Sequence, residues 1–179
     1  MFVVVPEWIP TTASAKGRLA LKALEYFAAH GYSDIGVTEL AAAADVTTGA
    51  LYHHFGSKLG LYDLARTEIE RRVLDRMEGA VAARASDPPV AAARAALLVA
   101  FDFLAEHGSG RLLAEPHPSR QNDPIEDYVA SVSDRRGIPI GAVLVAAWRA
   151  ALRAAADRVS PDNARAAFAA ISIDEPTDS

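Results

Sequence analysis

The chain has 179 residues, a length for one or two domains, and 18 Lys and Arg against 23 Asp and Glu leave a net charge of −5. That balance excludes a polybasic nucleic-acid tail, and the absence of cysteine excludes disulfides, thiolate metal sites and cysteine nucleophiles. The apolar fraction of 51% includes 38 alanines, the residue with the highest helix propensity, so the composition predicts a mostly helical chain.

Residues 1–13 hold two prolines and then Thr11-Thr12, and they read as an N-terminal arm with Phe2 and Trp8 as candidate anchors. The opening lacks a basic start and a long apolar segment, so no signal peptide is expected. The longest apolar run, Ile138–Trp148, contains Pro139 and Gly141 and falls short of the roughly 18 residues of a membrane span. A cytoplasmic protein with no membrane partner is the expectation.

A helix pattern begins at Ser14, with Leu19, Ala20, Ala23, Leu24 and Phe27 on one stripe and Gly31 as the stop. A short helix is predicted over Val37–Ala44, then a tight turn at Asp45-Val46. A third helix starts at Thr47 or Thr48, either of which can cap it, carries Leu51 and Phe55 inward and ends at Gly56. Ser57 can cap a long fourth helix over Lys58–Arg84, which Ser86-Asp87-Pro88-Pro89 terminates. Further helices are predicted over Pro89–His107, one turn at Arg111–Glu115, 125–136 ending at Gly137, 140–158, and from Pro161 to about Ile173, with Ser160 as the last N-cap. The tail, 174–179, is acidic.

The informative stretch is 34–58. Two short helices joined by a turn of three or four residues, with the small Ala41 at the crossing and Val46 plugging the turn, make a helix-turn-helix. In that motif the second helix presents its N-terminal residues to the DNA major groove. The segment Leu19–Tyr32, with Phe27-Ala28-Ala29-His30-Gly31-Tyr32 at its end, then Val37–Ala41, then Val46-Thr47-Thr48-Gly49-Ala50-Leu51-Tyr52-His53-His54-Phe55-Gly56-Ser57-Lys58 resembles the N-terminal domain of the TetR family of transcriptional regulators. The resemblance covers about 45 to 50 residues and is carried by the Gly-x-Leu-Tyr-x-His-Phe-x-Ser-Lys core. No such motif marks the remainder.

The residues support the same chemistry by themselves. Thr47, Thr48, Gly49 and Ala50 form the first turn of the third helix, whose free N–H groups suit a phosphate, and Gly49 allows close backbone approach. The Thr48 hydroxyl can meet a base edge, and the methyls of Thr48 and Ala50 suit thymine. Tyr52 and His54 can reach phosphates or bases, and Lys58 suits a phosphate. The resemblance implies phosphate contacts at Tyr52, His54 and Lys58 and base readout around Thr38, Thr48, Ala50 and His53.

The chain departs from the family pattern at several of these positions. Asp45 stands where Gly is usual, and Gly36 stands where a capping hydroxyl is usual, so the start of the second helix is expected to shift toward Thr38. Leu59-Gly60 replaces an acidic pair, leaving the capping box at Ser57 incomplete. Over 1–62, Lys16, Arg18, Lys22 and Lys58 are outweighed by Glu7, Glu25, Asp34, Glu39 and Asp45, for a net of −1. Affinity for DNA then rests on placed contacts and on dimerisation, and is expected to weaken markedly with salt.

Other chemistries find no support. His53 and His54 point about 100° apart on a helix and cannot chelate together, and the pattern of a zinc helix, a P-loop or a nucleophile elbow is missing. Neither enzyme activity, a metal nor a cofactor is expected. Leu97, Phe101, Leu104, Tyr128, Leu144 and Trp148 either line an effector cavity or form ordinary core, and family resemblance favours the cavity. Arg149, Arg153 and His107 are its candidate polar partners.

The expected architecture is all-α. An N-terminal helix-turn-helix domain, 14–60, is joined by a long helix to a helical effector-binding and dimerisation domain, 61–173. The resemblance implies a homodimer, paired through its last two helices, on a pseudo-palindromic double-stranded DNA operator. It also implies release by a small-molecule effector that acts through the fourth helix, with repression as the commoner mode. One alternative is a helical ligand-binding module whose DNA function has decayed. Another is an enzyme in a helical fold.

Overall fold

The computed structural model describes residues 13–135 and 137–173. The arm with Phe2 and Trp8 and the acidic tail lie outside the described residues. Among those described there are nine helices and one isolated bridge, Arg135 to Ile138. Two compact units divide at Ile69 and Glu70, within the fourth helix.

The first unit is built on α1 (Ala15–His30), α2 (Val37–Ala43) and α3 (Thr48–Phe55), which pack against one another, with the start of α4 (Lys58–Ala82). The predicted stripe of α1 faces its core: Leu19, Ala20, Ala23 and Phe27 are buried, and Leu24 is half-buried. Leu40 and Ala41 of α2 and Leu51 of α3 close that core, while Phe55 is only half-buried. Phe27 meets the ring of Tyr62 edge-on at 5.1 Å, and Tyr32 lies 5.0 Å from Tyr62. These ring contacts fix the first turns of α4 on α1, in geometries worth about 0.5–1.5 kcal/mol each beyond burial. The turn and caps follow the residue chemistry. Ser14 accepts from Gly17 N, and Gly31 ends α1 at φ 84°.

The second unit consists of the rest of α4, α5 (Pro89–Glu106), α6 (Gly110–Ala114), α7 (Pro124–Ser133), α8 (Ile140–Asp157) and α9 (Pro161–Ala169). Helix α8 packs against α5, α6, α7 and α9, so it forms the centre of this unit. Its Leu144, Trp148 and Leu152 are buried, as are Leu97, Phe101 and Leu104 of α5. The rest of α5 is divided between core and surface. Ala105 is exposed, Leu98 is half-buried, and Phe103 is buried, its ring under the Arg76 guanidinium at 3.8 Å.

Four boundaries also differ from the expectation. Helix α2 does not shift toward Thr38: it starts at Val37 with Gly36 as an extended N-cap and no side-chain cap. Glycine adopts that geometry freely, and the acid in the first turn, Glu39, complements the helix dipole. Helix α4 stops at Ala82, short of Arg84. Helix α7 stops at Ser133 rather than at residue 136, because the chain must reverse at once to lay α8 on α7. Gly137, at φ 80°, makes that reversal, and the Asp134 carboxylate accepts from Gly141 N at 2.6 Å. Helix α9 ends at Ala169, not near Ile173. Just beyond it the Ile171 carbonyl accepts from Arg94 at 2.7 Å instead of continuing the ladder.

Candidate nucleic-acid interface

The site rests on how α3 is held. Asp45 takes the left-handed turn position at φ 52°, as its side chain permits. Val46 N then donates to Ala41 O at 3.0 Å, closing the turn, and the chain enters α3 in extended geometry at Thr47. The Thr47 hydroxyl accepts from Ala50 N at 3.2 Å. Thr47 is therefore the N-cap, and its oxygen is engaged within the helix, whereas Thr48 is exposed and has the freer hydroxyl. At the other end Gly56 stops α3 at φ 73°.

Leu51 is fully buried, and most of the remaining surface of α3 is turned to solvent. Thr48, Gly49, His53 and His54 are exposed, Ala50 is half-buried, and Tyr52 is 53% exposed. Tyr52 is thus a large aromatic side chain with no place in the core. A Cβ built on Gly49 would meet only Thr47 Oγ1, at 3.6 Å, which is ordinary contact. Nothing among the described residues calls for glycine at that position. The His53 and His54 rings lie 5.0 Å apart edge to face. Among the described residues no group of three His, Asp or Glu side chains could hold a metal ion. Thr38 is exposed on the first turn of α2.

Lys58 is placed differently from a free phosphate contact. Its ammonium lies 4.3 Å from the centroid of the Tyr32 ring, a cation–π position. Burial lowers its pKa below the ordinary lysine range, against the opposing pull of Asp34. The ring fixes where the charge sits, at the start of α4 and next to the end of α3. Two other cations of this unit are engaged too. Lys22 pairs with Glu25 at 2.7 Å, and Arg18 bonds to backbone carbonyls. The net of −1 therefore understates how little loose positive charge the surface carries.

Two residues of the site were not singled out from sequence. Gly60 looked like a missing acid of a capping box. A Cβ there would collide with the Phe55 carbonyl, so only glycine lets α4 start this close to the end of α3. Its amide is also the donor to Ser57 Oγ, at 2.9 Å, which caps α4. Arg18 was counted only as charge. A signal for Gly60 exists in the short Gly56-Ser57 linker, which forces two helix ends together; Arg18 has none, because its partners are 26 and 27 residues away.

The candidate effector residues lie in the second unit. Leu97, Phe101, Leu104, Leu144 and Trp148 are buried, and Tyr128 is half-buried, with its hydroxyl pKa raised by burial and by Glu78. The indole N–H of Trp148 has no hydrogen-bond partner among the described residues. Arg149 does not offer a free charge there. It donates to the Leu113 carbonyl at 3.2 Å and pairs with Asp123, whose other oxygen caps α7 through Ile125 N and Glu126 N. Arg153 donates to the Ala114 carbonyl, and the His107 ring meets the Phe103 carbonyl. A separate cavity of about 430 Å³ in this unit is lined by Pro88, Val90, Ala91, Arg94, Leu144 and Ile171–Ile173. Of the six candidates only Leu144 reaches it.

Residues 21–65 match the family described as bacterial regulatory proteins, tetR family. The transcriptional activator FasR of Mycolicibacterium smegmatis is 35% identical over 103 residues, 56% of this chain and 45% of its own. The transcriptional regulator AcuR of Cereibacter sphaeroides is 31% identical over 106 residues, 59% of this chain and 48% of its own. The chain thus spans about half the length of these regulators. Among solved structures, a Shewanella sp. PV-4 protein assigned to the tetR family superposes with a TM-score of 0.62 at 20% identity, over 88% of this chain and 95% of its own. The TetR family regulator PfmR of Thermus thermophilus gives 0.58 at 19% identity, over 85% and 95%. At those identities the structures establish a shared all-helical fold, and the match over residues 21–65 makes that segment similar to the tetR family of bacterial regulatory proteins.

Proposed function

We propose that the chain is a sequence-specific DNA-binding transcription regulator. Residues 14–60 read double-stranded DNA, and residues 61–173 dimerise and sense a small-molecule effector. The observation that carries this reading is the solvent-facing side of α3. Thr48, Gly49, Tyr52, His53 and His54 are exposed on a helix held by the buried Leu51, the Thr47 cap and the Gly56 stop. An exposed aromatic ring, an unfilled glycine and an uncommitted threonine have no use in packing, and all three suit a nucleic-acid groove.

In this reading Tyr52, His54 and Lys58 meet phosphates, and the N-terminal amides of α3 approach the backbone beside Gly49. Thr38, Thr48, Ala50 and His53 meet base edges. Thr47 contributes through the cap. Two recognition helices of a homodimer sit about 34–36 Å apart on a pseudo-palindrome. The exposed faces of α8 (Val143, Ala146 and Ala150) and of α9 (Ala166, Ala167 and Ala170) supply an apolar surface for pairing. The effector occupies the region around Leu97, Phe101, Leu104, Tyr128, Leu144 and Trp148, where the unpartnered indole N–H offers it a donor. It releases DNA by binding the DNA-incompetent form better than the competent one.

Repression follows the commoner family mode, although the FasR relative is named an activator. A reporter driven by the flanking promoter decides the sign: expression rises on loss of a repressor and falls on loss of an activator.

The test of DNA reading is fluorescence anisotropy on the DNA flanking the chain's own gene, across a salt series, with Tyr52→Ala alongside. Binding that resists competitor DNA and falls with salt, and that the variant loses without losing stability, supports the regulator. A second reading, a ligand-binding module with decayed DNA function, is favoured by the engaged cations of the first unit. Selection from random DNA that yields no preferred sequence would establish it.

A further inference from the structure

The turn before α3 carries two liabilities. Asp45 sits in the left-handed region, which costs any non-glycine residue. The turn amides of Ala44, Asp45 and Val46 take the Leu40, Ala42 and Ala41 carbonyls, which leaves the Ala44 and Asp45 carbonyls beyond the α2 ladder, and α2 has no basic residue in its own last turn to offset its dipole.

Arg18, on α1, answers both. Its Nε donates to the Ala44 carbonyl at 3.0 Å, and its Nη2 donates to the Asp45 carbonyl at 3.3 Å. Its Nη1 donates to the Ala13 carbonyl at 3.2 Å. The planar guanidinium therefore holds the end of α2, the strained turn residue and the entry to α1 in one fork, a geometry lysine cannot reproduce. Two residues beyond Asp45, Thr47 starts α3, so the direction of the recognition helix is set at the carbonyls Arg18 holds.

We propose that Arg18 is a positioning residue for DNA recognition, acting through the Asp45 turn and not by touching DNA. This rests on the DNA-binding reading above.

The test uses the full chain as wild type, Arg18→Met, Arg18→Lys, and Arg18→Met combined with Asp45→Gly. Two quantities are read: affinity across a salt series for a duplex selected from random DNA by the wild type, and amide hydrogen exchange of the free protein. Arg18→Met is expected to weaken binding about three- to thirtyfold, the loss of one or two placed hydrogen bonds, with the salt slope unchanged. Exchange at Ala44, Asp45 and Val46 speeds up while α5 and α8 keep their protection. Arg18→Lys restores little, and Asp45→Gly restores binding in the Met background because glycine removes the strain.

A salt slope reduced by about one would make Arg18 a phosphate contact and overturn the proposal. Unchanged exchange at the turn would overturn it too. If the wild type selects no duplex, the DNA-binding reading fails, and the exchange measurement still shows whether Arg18 holds the turn.

Discussion

Gly49 and Gly141 both lie inside the first turn of a helix, and they are there for opposite reasons. A Cβ on Gly49 would enter ordinary van der Waals space beside Thr47. A Cβ on Gly141 would lie 2.6 Å from the backbone of Ala130, because α8 is pressed directly onto α7. The same contrast separates the two units. In the second, side chains are spent on packing: Trp148 is buried, and Arg149 is locked between Leu113 and Asp123. In the first, a well-packed base of Leu19, Phe27, Leu40 and Leu51 holds up a face of α3 whose side chains are left exposed. A helix whose residues are not explained by its own fold is one whose residues answer to something outside it.

Substitutions at these positions sharpen the contrast. The largest effect is expected at Gly141→Val, where overpacking against the Ala130 backbone costs about 1–3 kcal/mol or more. Thermal denaturation should show it as a lower midpoint for the second unit. An unchanged midpoint would mean that α7 and α8 separate easily.

Next comes the threonine pair. Thr47→Ala removes the α3 cap and should cost about 1 kcal/mol of stability. Thr48→Ala should leave stability alone and change preference among DNA sites. Denaturation together with competition between duplexes distinguishes them, and equal loss on every duplex for Thr48→Ala would remove it from base readout.

Gly49→Ala inverts the usual coupling. Helix propensity favours the variant by up to about 1 kcal/mol, so the unit should become slightly more stable, while the added methyl group should weaken DNA binding. A variant that is more stable and binds DNA as well as before would show that the backbone there does not approach the phosphates.

The smallest effect concerns Lys58. Its pKa is lowered in the fold, so at alkaline pH the folded chain gives up this proton before the unfolded chain does. The unfolded state then binds more protons, and stability should rise slightly with pH across the interval below the ordinary lysine value. DNA affinity should move the other way, because the positive charge is being lost. A pH series on wild type and Lys58→Met, reading both quantities, checks it: the alkaline loss of affinity should vanish in the variant.

The helical class and most element positions were legible because local chemistry decides them. Ser14, Thr47, Ser57 and Ser160 cap helices, and Gly31 and Gly56 end them, through bonds to neighbours within a few residues. The exposed side of α3 was legible for a related reason. With Leu51 committed inward, Gly49, Tyr52 and His53 are carried off its side of the helix, whereas Thr48, three residues from Leu51, is exposed at the start of α3.

What the sequence could not show lies wherever partners are distant along the chain. Arg18 meets Ala44 and Asp45, Arg149 meets Leu113 and Asp123, and Arg94 takes the Ile171 carbonyl that ends α9. The same holds for Gly60 and Gly141, whose need for a hydrogen in place of a side chain arises from a backbone in another helix. Local hydrogen bonding and periodicity fix helices and their caps, whereas the angle at which α3 is presented, and which alanine-rich faces become core, depend on close approaches that exist only once the helices have packed.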